Sequence, residues 1–182
     1  PELSHASNFL YMLTGNKPDK EMERVFDVCL ILHADHTFNA STFAAREVAS
    51  TRAHMYSAVS AAVGALSGEL HGGANYEVMK MLLDIKDENN AKEWVKSKIE
   101  NGDRIMGMGH AVYKTVDPRS MVLKELSKKL SEKTGLPWFE ITKKVEETTA
   151  EIMKNRKERD IFPNVDLYSA SVYYMLNIPM DL

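Results

Sequence analysis

The chain has 182 residues, of which 44% are hydrophobic and 27% charged, with a formal net charge of -3. These are the proportions of a globular chain that can bury a sizeable core, and the small net charge excludes a global field for nucleic acid or an anionic membrane surface. No run approaches the roughly 20 apolar residues of a membrane span, the first residues lack the pattern of a secretory leader, and the one cysteine, Cys29, excludes an internal disulfide and fits a reducing, cytoplasmic setting.

Helical periodicity runs along the whole chain, and strand signals are scarce. Ser7 to Leu13 is apolar on one face, and Gly15 is a plausible stop. Asp19 can cap a helix reaching about His33, with Met22, Val25, Phe26, Cys29 and Leu32 on one face. Ala40 to Thr51 forms a third helix, and Met55 to Leu66 a fourth, rich in small residues that suit close helix packing. A polar, Gly-rich break follows at residues 69–75. Tyr76 to Ile85 and Asn90 to Ile99 are short amphipathic helices, followed by an irregular stretch at 104–113. Asp117-Pro118 is a strong helix start, with Asp as N-cap and Pro at the first position; that helix should reach Lys133 and close at Gly135. Pro137 opens another helix, through Phe139, Ile141, Val145 and Ile152, that ends in the basic stretch 154–159. Val165 to Leu176 is the last, stopped by Asn177 and Pro179. The expected fold class is all-α, with no repeat or flexible linker.

Candidate chemistry gathers where polar side chains meet glycine. His71 precedes Gly72-Gly73, and His110 follows Gly107-Met108-Gly109. Glycines there let the backbone approach a ligand. His36 lies in the polar segment His33-Ala34-Asp35-His36. Zinc is disfavoured: no His-Glu-x-x-His, second cysteine or further ligand pair accompanies His33 and His36. Gly107-x-Gly109 lacks the third glycine and preceding strand of a dinucleotide fingerprint. Cys29, on an apolar face, is a poor nucleophile.

Four blocks together resemble the citrate synthase family, in order and approximate spacing. They are Ala34-Asp35-His36-Thr37-Phe38-Asn39-Ala40-Ser41-Thr42, Leu70-His71-Gly72-Gly73-Ala74-Asn75, Gly107-Met108-Gly109-His110-Ala111-Val112 with Asp117-Pro118-Arg119, and Pro163-Asn164-Val165-Asp166-Leu167-Tyr168-Ser169. The resemblance covers nearly the whole chain. It implies a Claisen-type condensation of acetyl-CoA with oxaloacetate, giving citrate and CoA. Asp166 would be the general base, His71 the donor to the thioester oxygen, and His110 the group that polarises the oxaloacetate carbonyl. His36, Asn39 and Arg119 would bind oxaloacetate; Gly107, Gly109, Lys114 and Arg159 would contact CoA. No permanently bound cofactor or metal is implied, acetyl-CoA being a substrate.

The same resemblance implies that residues 1–72 are the end of a large helical domain and residues 73–182 most of a small one, with the cleft between them. It implies a homodimeric full-length protein. Segments before Pro1 and after Leu182, including carboxylate-binding arginines, would be missing, so residues 1–182 alone should have little or no activity. Two alternatives stay open: a 2-methylcitrate synthase using propionyl-CoA, and a non-catalytic helical binding or regulatory domain.

Overall fold

The computed structural model describes residues 2–34, 38–68, 71–110, 115–157 and 160–180, and of Lys157 only the backbone. Among them are nine α-helices and one isolated antiparallel bridge, between Met108 and Pro163. The all-α expectation is met, and most of the caps read from the sequence are made.

Helix α1 (His5–Thr14) starts on Ser4, whose side chain accepts from the Ser7 N–H. Helix α2 (Lys20–Ala34) starts on Asp19, whose carboxylate accepts from the Glu21 and Met22 N–H groups. The two helices stack Phe9 on Phe26, with ring centroids 4.9 Å apart. Cys29 is fully buried on α2, and burial pushes its thiol up to about 12, so it acts as a small hydrophobe.

Helices α3 (Ala40–Ser50) and α4 (Met55–Leu66) pack chiefly on each other. Helix α3 buries no residue, and α4 buries only Ala58. Phe43, Met55, Tyr56, Val59 and Val63 are all more than half exposed.

The centre of the molecule is α9 (Val165–Met175), enclosed by α5 (Gly73–Ile85), α7 (Pro118–Thr134) and α8 (Trp138–Lys157); α6 (Glu88–Glu100) packs on the outer side of α8. Helix α9 buries eight of its eleven residues, on every side. A helix so uniformly buried belongs in the interior of a core. Its small polar residues allow close approach: Ser171 Oγ lies 2.9 Å from Ser127 Oγ of α7. On its α8 side the fully buried Tyr168 donates its hydroxyl to Glu146, which also receives Lys124 Nζ at 2.7 Å. Helix α7 is tied to α2 by Lys133, 2.6 Å from Asp19 and 3.0 Å from Glu21. This cluster holds the start of α9, and the side chains it presents, in one place.

Leu82 of α5 is fully buried in this core, whereas Val63 of α4 is 59% exposed. Leu82→Ala should therefore cost about 2–5 kcal/mol of stability, and Val63→Ala within about 0.5 kcal/mol. Urea unfolding of both variants of residues 1–182 checks the contrast; equal losses would contradict the placement of the core.

Candidate functional site

The site grows from the start of α9. Asn164 is the N-cap, and its side-chain oxygen accepts from the Asp166 N–H at 2.9 Å. Asp166 itself lies in the first turn. The cap is thus made without the Asp166 carboxylate, which no described residue hydrogen-bonds. Burial pushes its pKa above the ordinary aspartate value; the charges of His33, Arg119 and His110 pull it down and that of Asp117 pushes it up, and the net shift is upward. Such a carboxylate is a stronger base than a solvated one. The sign for stability follows: the folded state holds this proton more tightly than the unfolded chain does. Asp166 therefore withdraws stability as pH rises from its unfolded towards its folded value.

The loop that carries His110 is fastened to the segment before α9. Gly107 O accepts from Asn164 N at 2.9 Å, and Gly109 N donates to Phe162 O at 2.8 Å. Asn164 Nδ2 donates to Gly109 O at 2.9 Å. One side chain therefore caps α9 with its oxygen and holds the His110 loop with its nitrogen. Gly107 has φ of 79°, and a Cβ there would lie 2.8 Å from both Cα and Cβ of Leu167. Only glycine fits that contact. Gly107 and Gly109, expected at CoA, thus spend both carbonyls and the Gly109 N–H on the 162–164 segment. His110 is half-buried beyond this loop, and its charge acts on both Asp166 and Asp117.

Arg119 is buried at the start of α7 and forms a two-pronged ion pair with Asp117. Nε reaches Oδ1 at 3.1 Å and Nη2 reaches Oδ2 at 2.8 Å. Asp117 also caps α7 through the Arg119 N–H. Burial raises its pKa, but the Arg119 side-chain and backbone bonds outweigh this and hold it below the ordinary value. The Asp117 pair thus adds stability above the unfolded carboxyl pKa, lost as pH falls through the folded one. The pairing also uses one edge of the guanidinium. A carboxylate ligand would meet the other edge, which carries Nη1.

His71 stands two residues before α5. Gly72 is its N-cap, so the helix begins at Gly73, earlier than the Tyr76 expected from the sequence. A Cβ on Gly72 would overlap the Leu66 carbonyl oxygen, to which Gly72 N donates at 2.9 Å. The Gly-Gly pair therefore packs against the end of α4 while the helix starts. His71 Nε2 accepts from the Ser41 N–H at 3.2 Å and lies 3.0 Å from Ser41 Oγ. A backbone N–H can only donate, so Nε2 carries the lone pair and the neutral ring keeps its proton on Nδ1. That N–H is available as a donor to a ligand.

Asn39 is the N-cap of α3, its oxygen accepting from Thr42 N and Ser41 Oγ, both at 2.8 Å. His36, Lys114 and Arg159 lie outside the described residues. Among the described residues no group of three or more His, Cys, Asp or Glu side chains could hold a metal, and no helix is long and apolar enough to cross a membrane.

The structure adds roles that the sequence did not assign. Ser41 sets the His71 tautomer, Asn164 ties cap to loop, and Asp117, expected only as a cap, also partners Arg119. His33 Nδ1 lies 2.8 Å from Cys29 O and 3.2 Å from Tyr173 Oη. Asn75 Nδ2 donates to Ser169 Oγ at 2.5 Å.

A family model for the citrate synthase C-terminal domain matches residues 1–182. A citrate synthase from Synechocystis is 49% identical over 182 residues, covering all of this chain and 45% of its own length. The solved citrate synthase of Pyrobaculum aerophilum superposes with a TM-score of 0.89 at 43% identity, covering 99% of this chain and 45% of that one. The Thermoplasma acidophilum citrate synthase, solved as a ternary complex with carboxymethyl coenzyme A and oxaloacetate, gives 0.87 at 38% identity, covering 99% of this chain and 47% of that one. The chain thus spans about half the length of the relatives it matches.

Replacing Gly107 by Ala should cost about 2–5 kcal/mol, the sum of left-handed backbone strain and overpacking against Leu167. Thermal melting with hydrogen exchange at residues 105–110 and 162–168 checks this. A variant as stable and as protected as the parent would contradict the contact.

Proposed function

The chain belongs to the citrate synthase family, and on that premise we propose that it carries the reacting side chains of an enzyme condensing acetyl-CoA with oxaloacetate to give citrate and CoA. The observation that carries the reading is Asp166: a half-buried carboxylate, not used in the helix cap, whose proton affinity is raised by desolvation, at the start of the helix whose cap residue also ties down the His110 loop.

The chemistry follows from the roles. Asp166 takes a proton from the thioester methyl group. The C–H electron pair forms the C=C bond of the enolate, and negative charge gathers on the thioester oxygen. His71, whose Nε2 accepts from the Ser41 N–H, donates to that oxygen from Nδ1. The enolate carbon then attacks the ketone of oxaloacetate. His110 polarises the ketone oxygen and protonates it as the bond forms. Arg119 holds a substrate carboxylate on its Nη1 edge, oriented by Asp117, with His36 and Asn39 as further contacts. Hydrolysis of the thioester by water releases citrate and CoA. Gly107, Gly109, Lys114 and Arg159 stay assigned to CoA, Gly107 and Gly109 now mainly by shaping the loop.

Residues 1–72 are read as the end of a large domain and 73–182 as a small domain. The exposed apolar surface of α3 and α4 supports a homodimer in the full-length protein, located in the cytoplasm. Residues 1–182 alone should turn over little, because a dicarboxylate clamp needs more arginines than the chain supplies.

In the full-length protein, Asp166→Asn should lower turnover roughly 100-fold or more, the scale of general-base loss. The KM for oxaloacetate should change little, since Asp166 is not assigned to it. Thiol release with acetyl-CoA, and with propionyl-CoA as comparator, measures both. Turnover close to the parent's in a folded variant would refute the reading. The bland alternative, a helix cap, predicts that neutral outcome, but the cap is made by Asn164.

A further inference from the structure

His71 and Asp166 must act on adjacent atoms of one acetyl group, the oxygen and the methyl carbon. They stand on different helices, one just before α5 and one in the first turn of α9. Their separation therefore depends on how those two helix starts are locked together. The two helices pack together, and both bury apolar side chains: Val78 and Leu82 on α5, Leu167 and Val172 on α9. The hydrophobic effect is non-directional and does not by itself select one axial register. One side-chain hydrogen bond joins the two helices among the described residues: Asn75 Nδ2 donates to Ser169 Oγ at 2.5 Å.

Both ends of that bond are well placed to act on the reacting pair. Asn75 is the third residue of α5, four positions after His71. Ser169 is fully buried, three positions after Asp166, and its hydroxyl points back along α9 towards the Asp166 carbonyl at 3.5 Å. A directional bond at this point fixes the axial register of one helix start against the other. We propose that Asn75 and Ser169 are positioning residues for proton abstraction, holding the His71 donor and the Asp166 base at the separation that one acetyl group requires.

The proposal rests on the enzymatic reading above, and neither residue touches substrate. Its energetic signature should lie in rate more than in stability. A misplacement of about 1 Å can cost roughly 100-fold in rate, whereas a single neutral hydrogen bond contributes only modestly to folding.

The test uses the full-length protein with Ser169→Ala, Asn75→Ala, the double variant, and Ser169→Thr, which keeps the hydroxyl. Turnover, KM for oxaloacetate, thermal melting and the primary deuterium isotope effect with methyl-deuterated acetyl-CoA are measured. Each Ala variant should lose about 10-fold or more in kcat with a KM for oxaloacetate within about twofold. The isotope effect should persist or grow, because the slowed step is removal of the methyl proton. The double variant should lose no more than either single one, and Ser169→Thr should recover most of the rate. Because Asn75 is only half-buried, Asn75→Ala decides the matter if Ser169→Ala does not fold. Variants that melt lower but keep their kcat, or that lose kcat together with the isotope effect, overturn the positioning role. An unmutated protein without turnover overturns the enzymatic reading and the positioning role with it; parental turnover beside unaffected Ala variants overturns the positioning role alone.

Discussion

The approach of Gly107 to the first turn of α9 is the constraint on which the rest of the site depends. A hypothetical side chain at Gly107 would collide with the Cα of Leu167, so loop and helix are in backbone contact. Three hydrogen bonds then fasten residues 107–109 to 162–164. The helix cannot move without the loop, and Asp166 cannot move without His110. Because α9 is the most deeply buried helix, with α5, α7 and α8 around it, this unit is anchored to the stiffest part of the fold. The close packing of protein interiors turns such contacts into fixed distances.

The electrostatics of the site follow from that burial. Asp166 sits where water is scarce, with its capping duty taken over by Asn164, and its proton affinity rises. The cost is borne by the folded protein at neutral pH. Asp117 shows the opposite solution within the same cluster: its side chain is buried, but two charge-assisted bonds from Arg119 keep it ionised. Two carboxylates thus have proton affinities pushed apart by their partners, the pattern that separates a base from a structural anion. His71 is handled differently again. A backbone donor at the start of α3 selects its tautomer.

Much of this was legible in the sequence, because helix caps are local. Asp19, Asp117 and the stop at Gly135 follow from residue type and spacing, and the structure makes each of them. The glycines beside His71 and His110 suggested close backbone approach, and the structure packs Gly72 on Leu66 and Gly107 on Leu167. What local reasoning missed are residues whose partners lie far along the chain. Asn75 and Ser169 are 94 positions apart, and Ser41 and His71 are 30 apart. Gly72-Gly73 was read as a break because glycine is a poor helix former; its role in packing on Leu66 appears only in three dimensions. Asn164 and Asp166 are both residue types that cap helices, and spacing alone does not say which of the two accepts the bond; in the structure it is Asn164. The small residues of α4 suit close helix packing, and α3 does pack on it, but within the described residues most of the apolar surface of the two helices is uncovered.

The account turns on Asp166 being a desolvated base and not a helix cap. A site-specific carbon-13 titration of its carboxyl in the folded protein measures that directly, with the Asp166→Asn variant assigning the signal. The predicted result is a midpoint above the ordinary aspartate value of about 3.9, while the Asp117 carboxyl titrates below it. An Asp166 midpoint at or below the ordinary value would place the carboxylate in water or in a cap, and would contradict the mechanism built on it.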